Sequence, residues 1–82
     1  MLPVIVLNAI IMMYSRCGFV LTSFKVFDNM LERDVVSWNT MISNFVQNGL
    51  DDEGLMLLYE MQRQQFMIDS VNVTALLQQL QI

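Results

Sequence analysis

Sliding the chain along itself by 31 positions lays residues 4–34 onto residues 35–65. This self-similarity limits the fold more than any other feature of the sequence. Val4 meets Val35, Asn8 meets Asn39, Ile11 meets Ile42, Gly18 meets Gly49 and Met30 meets Met61. Between these identities Leu7 pairs with Trp38, Ile10 with Met41, Tyr14 with Phe45 and Phe27 with Leu58. A third start follows at an offset of 35, where Val36, Asn39, Met41 and Ile42 align with Val71, Thr74, Leu76 and Leu77. The chain therefore divides into a remnant (1–3), a unit at 4–34, a longer unit at 35–69 and an incomplete third unit at 70–82. Repeats of this length are single supersecondary units that bury their apolar faces on their neighbours.

Periodicity makes each unit a pair of helices. Leu7, Ile10, Ile11 and Tyr14 fall at i, i+3, i+4 and i+7, one face of an α-helix. Cys17-Gly18 ends it, because glycine readily takes the left-handed conformation that closes a helix. A second helix is expected from about Val20 to Leu31, with Phe27 and Met30 facing inward. The second unit repeats the plan with Trp38, Met41, Ile42 and Phe45, then Asn48-Gly49, then Leu55, Leu58 and Met61. Asp51, Asp52 and Glu53 open that last helix, where carboxylates favour the macrodipole. Val73, Leu76, Leu77 and Leu80 supply a fifth helix. The expected class is all-α, an α-solenoid of antiparallel helix-turn-helix repeats, with no strands. The eight methionines are read as flexible filling between packed helices.

Composition removes most other functions. The chain has no histidine, which excludes Ser/His and Cys/His nucleophile pairs and histidine-containing zinc sites. No enzyme, metal, cofactor or small-molecule substrate is expected. The single Cys17 cannot form an internal disulfide, as fits a reducing compartment. The apolar run Leu2–Tyr14 is shorter than the roughly 20 residues of a membrane span. It also lacks a basic leader, so neither a membrane segment nor a signal peptide is expected. Arg16, Lys25, Arg33 and Arg63 are the only cations, and the net charge is −4. Nucleic-acid affinity comes largely from cations that displace counterions, so this chain alone should bind RNA weakly. The four cations are read as scattered, solvated surface charges.

The motifs are dense enough to suggest a family. Residues 8–18, the run Val26-Phe27-Asp28-Asn29-Met30 with Arg33-Asp34, and residues 34–49 all resemble the pentatricopeptide repeat family. They resemble in particular its plant subgroup (PLS) that alternates repeats of different length. Glu60-Met61, Asp69 and the segment Ser70–Gln79 continue the likeness. The resemblance implies a right-handed superhelix that binds single-stranded RNA on its concave face, about one base per repeat. It also implies residence in a mitochondrion or chloroplast, a role in RNA processing or editing, and contact with other organellar RNA-processing proteins. By the same resemblance the base-reading residues are Asn8 with Asp34, Asn39 with Asp69, and Thr74 in the third unit. The Asn/Asp combination implies uracil at two successive positions. Ile5, Val36 and Val71 occupy the apolar places that sandwich each base.

The residues themselves leave alternatives open. An amide offers donors and an acceptor to a base edge, and a carboxylate accepts from a base N–H. Yet Asp34 and Asp69 also suit the caps of the helices that follow, and Asn8 and Asn39 suit backbone hydrogen bonds at helix junctions. Ser23 and Gly54 stand where the family places alanine, and glycine inside a helix costs about 1 kcal/mol of propensity. Phe24 stands where a polar residue is usual, and Ile68 replaces a proline. Besides an RNA-binding piece, two readings therefore stand: a helical protein-interaction module, and a truncated copy without function.

Overall fold

The structure is a computed structural model that describes residues 2–64. Among them lie four helices and no strand: α1 (Val4–Arg16), α2 (Val20–Asp28), α3 (Val35–Gln47) and α4 (Asp51–Arg63). The fifth helix expected at 70–82 lies outside the described residues. Helix α1 packs on α2, α3 packs on α4, and α3 also rests against both helices of the first pair. This is an all-α array of two stacked helical hairpins, and none of its helices is long and apolar enough to cross a membrane.

Both hairpins turn by the same device. Gly18 and Gly49 have φ of +83° and +78°. After α1, the Gly18 N–H donates to Ser15 O and the Phe19 N–H to Tyr14 O. After α3, the Gly49 N–H donates to Val46 O and the Leu50 N–H to Phe45 O. These paired bonds form the Schellman closure, which needs a left-handed residue where the glycines stand.

The core gathers on α3. Trp38, Met41, Ile42 and Phe45 are buried there, joined by Ile11 from α1, Phe27 and Met30 from the first hairpin, and Leu57 and Met61 from α4. Phe27 meets Trp38 edge to face at 5.1 Å and 84°, a favoured aromatic geometry. Phe24 closes the cluster, 6.0 Å from Phe27 and 5.4 Å from Phe45. Its apolar ring is therefore part of the packing rather than a defect. Buried Ser23 donates to Val20 O and accepts from Asn44 Nδ2, so a polar link joins α2 to α3 inside the core.

Three expectations need correction. Helix α2 stops at Asp28 instead of Leu31. Asn29 turns its amide back onto Lys25 O at 2.7 Å, and such local bonds compete with helix continuation. In α4 the inward face runs through Gly54, Leu57 and Met61, whereas Leu55 is exposed and Leu58 only partly covered. The methionines divide, with Met30, Met41 and Met61 in the core and Met12, Met13 and Met56 exposed.

The rotation of α4 has its cause at Gly54. A Cβ there would lie 2.9 Å from Val46 Cγ2 and 3.6 Å from Ile42 O, so glycine is what lets α4 approach α3. Alanine would gain about 1 kcal/mol of helix propensity. It would also press on a β-branched side chain that is stiff at χ1, and overpacking costs about 1–3 kcal/mol. Gly54→Ala should therefore lower stability by about 1 kcal/mol. In a Val46→Ala background the same change should stabilise. Urea unfolding of the four members of this double-mutant cycle checks the sign reversal.

Candidate nucleic-acid interface

The site is built where the second hairpin begins. Asp34 is the N-cap of α3, and its side chain accepts the Ser37 N–H at 2.9 Å. The Asp34 N–H in turn donates to Ser37 Oγ at 3.1 Å. This reciprocal pair is a capping box, which satisfies two backbone donors that would otherwise have no partner at a helix start. The capping reading of Asp34 is thus present in the fold.

Asn8 reaches the same carboxylate from α1. Its Nδ2 donates to Asp34 Oδ1 at 3.0 Å, and its Oδ1 accepts from Ser37 Oγ at 2.6 Å. Asn8 bonds to side chains across the boundary between the hairpins, and not to backbone as its alternative reading supposed. It is buried, whereas Asp34 is exposed. Every hydrogen bond to the Asp34 carboxylate falls on Oδ1. Among the described residues Oδ2 has no such bond and is the oxygen left for a ligand.

The apolar companions lie open beside this pair. Ile5, three residues before Asn8, is 77% exposed, and Val36, two residues after Asp34, is 53% exposed. Neither exposure follows from the core. Asn39 is half-buried and lines a hollow of about 340 Å³ between α1 and α3, with Ser15, Arg16, Ser43 and Gln47 around it. Asp69, Val71 and Thr74 lie outside the described residues, so only the first of the expected reading pairs can be seen assembled.

Two participants were not legible as such in the sequence. Ser37 is fully buried and bonds to both Asn8 and Asp34. The spacing Asp34-x-x-Ser37 was the available signal, because it places a polar side chain three residues after a cap. Arg33, read as a solvated cation, is instead folded back onto the first hairpin. Its Nε donates to Phe27 O at 2.9 Å and a terminal nitrogen donates to Asp28 O at 3.1 Å. Its guanidinium lies 4.3 Å from the centre of the Phe27 ring and 5.4 Å from that of Trp38. Arg33 therefore closes the end of α2 and pins the segment that delivers Asp34.

Partial burial pushes the Asp34 carboxyl up. Hydrogen bonds, led by those from the Ser37 N–H and the Asn8 amide, outweigh it and hold the group below its ordinary value. A depressed carboxylate contributes stability above its unfolded pKa and loses it as pH falls through the folded one. Asparagine also caps helices well, so Asp34→Asn should remove this pH dependence while keeping the cap. Urea midpoints measured from about pH 6 down to about pH 3 should fall further for the parent chain than for the variant. Parallel curves would show that the carboxylate is not stabilised in the folded state.

Comparison with known proteins bears on the same two hairpins. A family model described as PPR repeat matches residues 5–35 and 36–66. The chain is 70% identical over 76 residues to the pentatricopeptide repeat-containing protein At3g22150, chloroplastic, of Arabidopsis thaliana, covering 93% of this chain and 9% of that protein. It is 45% identical over 62 residues to At4g18520, chloroplastic, of the same plant and family name, covering 76% and 10%. A third relative there, At2g03880, mitochondrial, is 46% identical over 54 residues, covering 66% and 9%. The chain thus spans about a tenth of the length of these relatives.

Proposed function

The chain belongs to the pentatricopeptide repeat family, and on that premise we propose that it is a single-stranded RNA-binding module of an organellar RNA-processing factor. Its units are taken as 4–34 and 35–69, of the plant subgroup with alternating repeat lengths. Each unit holds one base: Asn8 with Asp34 in the first, and Asn39 with Asp69 in the second. Thr74 begins a third reading position. Ile5 with Val36, and Val36 with Val71, enclose the bases. Both positions prefer uracil, and in an editing factor the module would help choose the site. Chloroplast or mitochondrion is the compartment, as in the names of the relatives.

The observation that carries this reading is the 3.0 Å bond from Asn8 Nδ2 to Asp34 Oδ1, flanked by exposed Ile5 and Val36. One carboxylate oxygen caps α3, so the other can accept from a base N–H. The Asn8 amide keeps a second N–H, and a uracil edge sets a carbonyl oxygen beside its N3–H. An amide donor next to a carboxylate acceptor complements that edge. The apolar side chains offer two faces for a base to lie between.

The test places the full chain inside a longer array of pentatricopeptide repeats and compares RNAs that differ at the two facing bases. Changing Asn8 and Asn39 to alanine should reduce the preference for uracil by about 3- to 10-fold at each base, the worth of one hydrogen bond. A protein-interaction module would be indifferent to both substitutions, and that result would end the RNA reading.

A further inference from the structure

We infer that Ser37, which belongs to the second hairpin, is a positioning residue for the base read by Asn8 in the first. The inference rests on the RNA reading above and adds to it a third side chain that need not touch the base. An asparagine amide has two orientations that exchange its donor and acceptor ends, and only one presents its N–H group to a base beside the Asp34 carboxylate. The network fixes which one is present. Nδ2 stands 3.0 Å from Asp34 Oδ1 and Oδ1 stands 2.6 Å from Ser37 Oγ. Reversing the amide would set two oxygens against each other at the carboxylate.

The Ser37 hydroxyl has a single proton and two acceptors in reach, Asn8 Oδ1 at 2.6 Å and Asp34 Oδ1 at 2.9 Å. The shorter contact takes the proton to Asn8. The lone pairs of Ser37 Oγ meanwhile accept from the Asp34 N–H. Asp34 Oδ1 is supplied by the Ser37 N–H and the Asn8 amide. One buried residue thus holds both reading side chains, its hydroxyl orienting Asn8, 29 residues away in sequence, and its backbone N–H holding the Asp34 carboxylate. Buried polar groups that are all satisfied fix a unique arrangement, whereas partly satisfied ones do not. Without the hydroxyl, Asn8 Oδ1 loses its donor inside a buried site, and the amide is held at one end only.

The readout is the preference for uracil over cytosine, measured separately at the two facing bases. The full chain is carried inside a longer array, and folding is followed by thermal melting. Ser37→Ala should reduce the preference at the first base by about 3- to 10-fold, the worth of one hydrogen bond, and leave the second base unchanged. Ser37→Thr, which keeps the hydroxyl, should retain it. Equal losses at both bases would mark a general weakening of the array and overturn the inference. So would no loss at either, or a threonine variant that fails like alanine. Asn8→Ala is run beside them. If it alters the first base while Ser37→Ala does not, the inference fails and the RNA reading stands; if Asn8→Ala alters nothing, both fail.

Discussion

Replacing Trp38 with alanine is expected to cost about 3–5 kcal/mol, the usual range for removing a large buried aromatic side chain. Trp38 is 2% exposed and meets the edge of Phe27 at 5.1 Å. It lies on α3, which packs against each of the other three helices. A chain of this length is expected to hold about 4–12 kcal/mol in total, and a short array sits at the low end because each repeat has few neighbours. The substitution should therefore remove the cooperative urea transition seen by far-ultraviolet circular dichroism. Trp38→Phe keeps an aromatic edge for Phe27 and should lose about 1–2 kcal/mol while still unfolding cooperatively. A loss below about 1 kcal/mol on alanine substitution would contradict a core centred on α3. The change would also reach the site, since Trp38 stands between Ser37 and Asn39.

The self-similarity of the sequence was enough to read the hairpins, because it reports something physical. Equivalent apolar positions must fill equivalent places when identical units stack. Gly18 and Gly49 were legible for the same reason, as no other residue type takes φ near +80° so cheaply. The inward face of α4 was not. Leu55, Leu57 and Leu58 are chemically alike, and the choice among them was made by the close approach at Gly54, a tertiary fact. The end of α2 was hidden too, because Phe27, Met30 and Leu31 continue an apolar pattern past the point where Asn29 and Arg33 stop the helix.

Site geometry divides along a similar line. Asn8 and Asp34 could be named from the family motif, but their partner Ser37 could not, since periodicity says nothing of contacts made 29 residues apart. The cap that Asp34 gives α3 leaves room for its proposed reading role, because a carboxylate has two oxygens and the bonds at α3 use one. Exposed Ile5 and Val36 illustrate the converse. Their pattern alone made them ordinary helix residues, and only their exposure beside a polar pair separates them from the core.

Arg33→Ala is expected to cost about 2–3 kcal/mol, far more than the loss of a surface cation. Exposed charges typically contribute less than about 1 kcal/mol, whereas hydrogen bonds from a charged donor are worth about 1.5–3 kcal/mol and a cation over an aromatic face adds about 0.5–2 kcal/mol. The terms overlap, so their sum is not expected. Arg33 satisfies the carbonyl oxygens of Phe27 and Asp28 at the end of α2, where a positive charge also complements the helix dipole. Lysine supplies the charge but lacks the planar fork that meets two carbonyls while lying on a ring, so Arg33→Lys should recover less than half of the loss. Hydrogen exchange should separate this effect from a global one, with the last turn of α2 and the Asp34 amide losing protection before the middle of α3 does. Uniform loss across all four helices would show that the guanidinium acts on overall packing. A cost below about 0.5 kcal/mol would return Arg33 to the solvated surface.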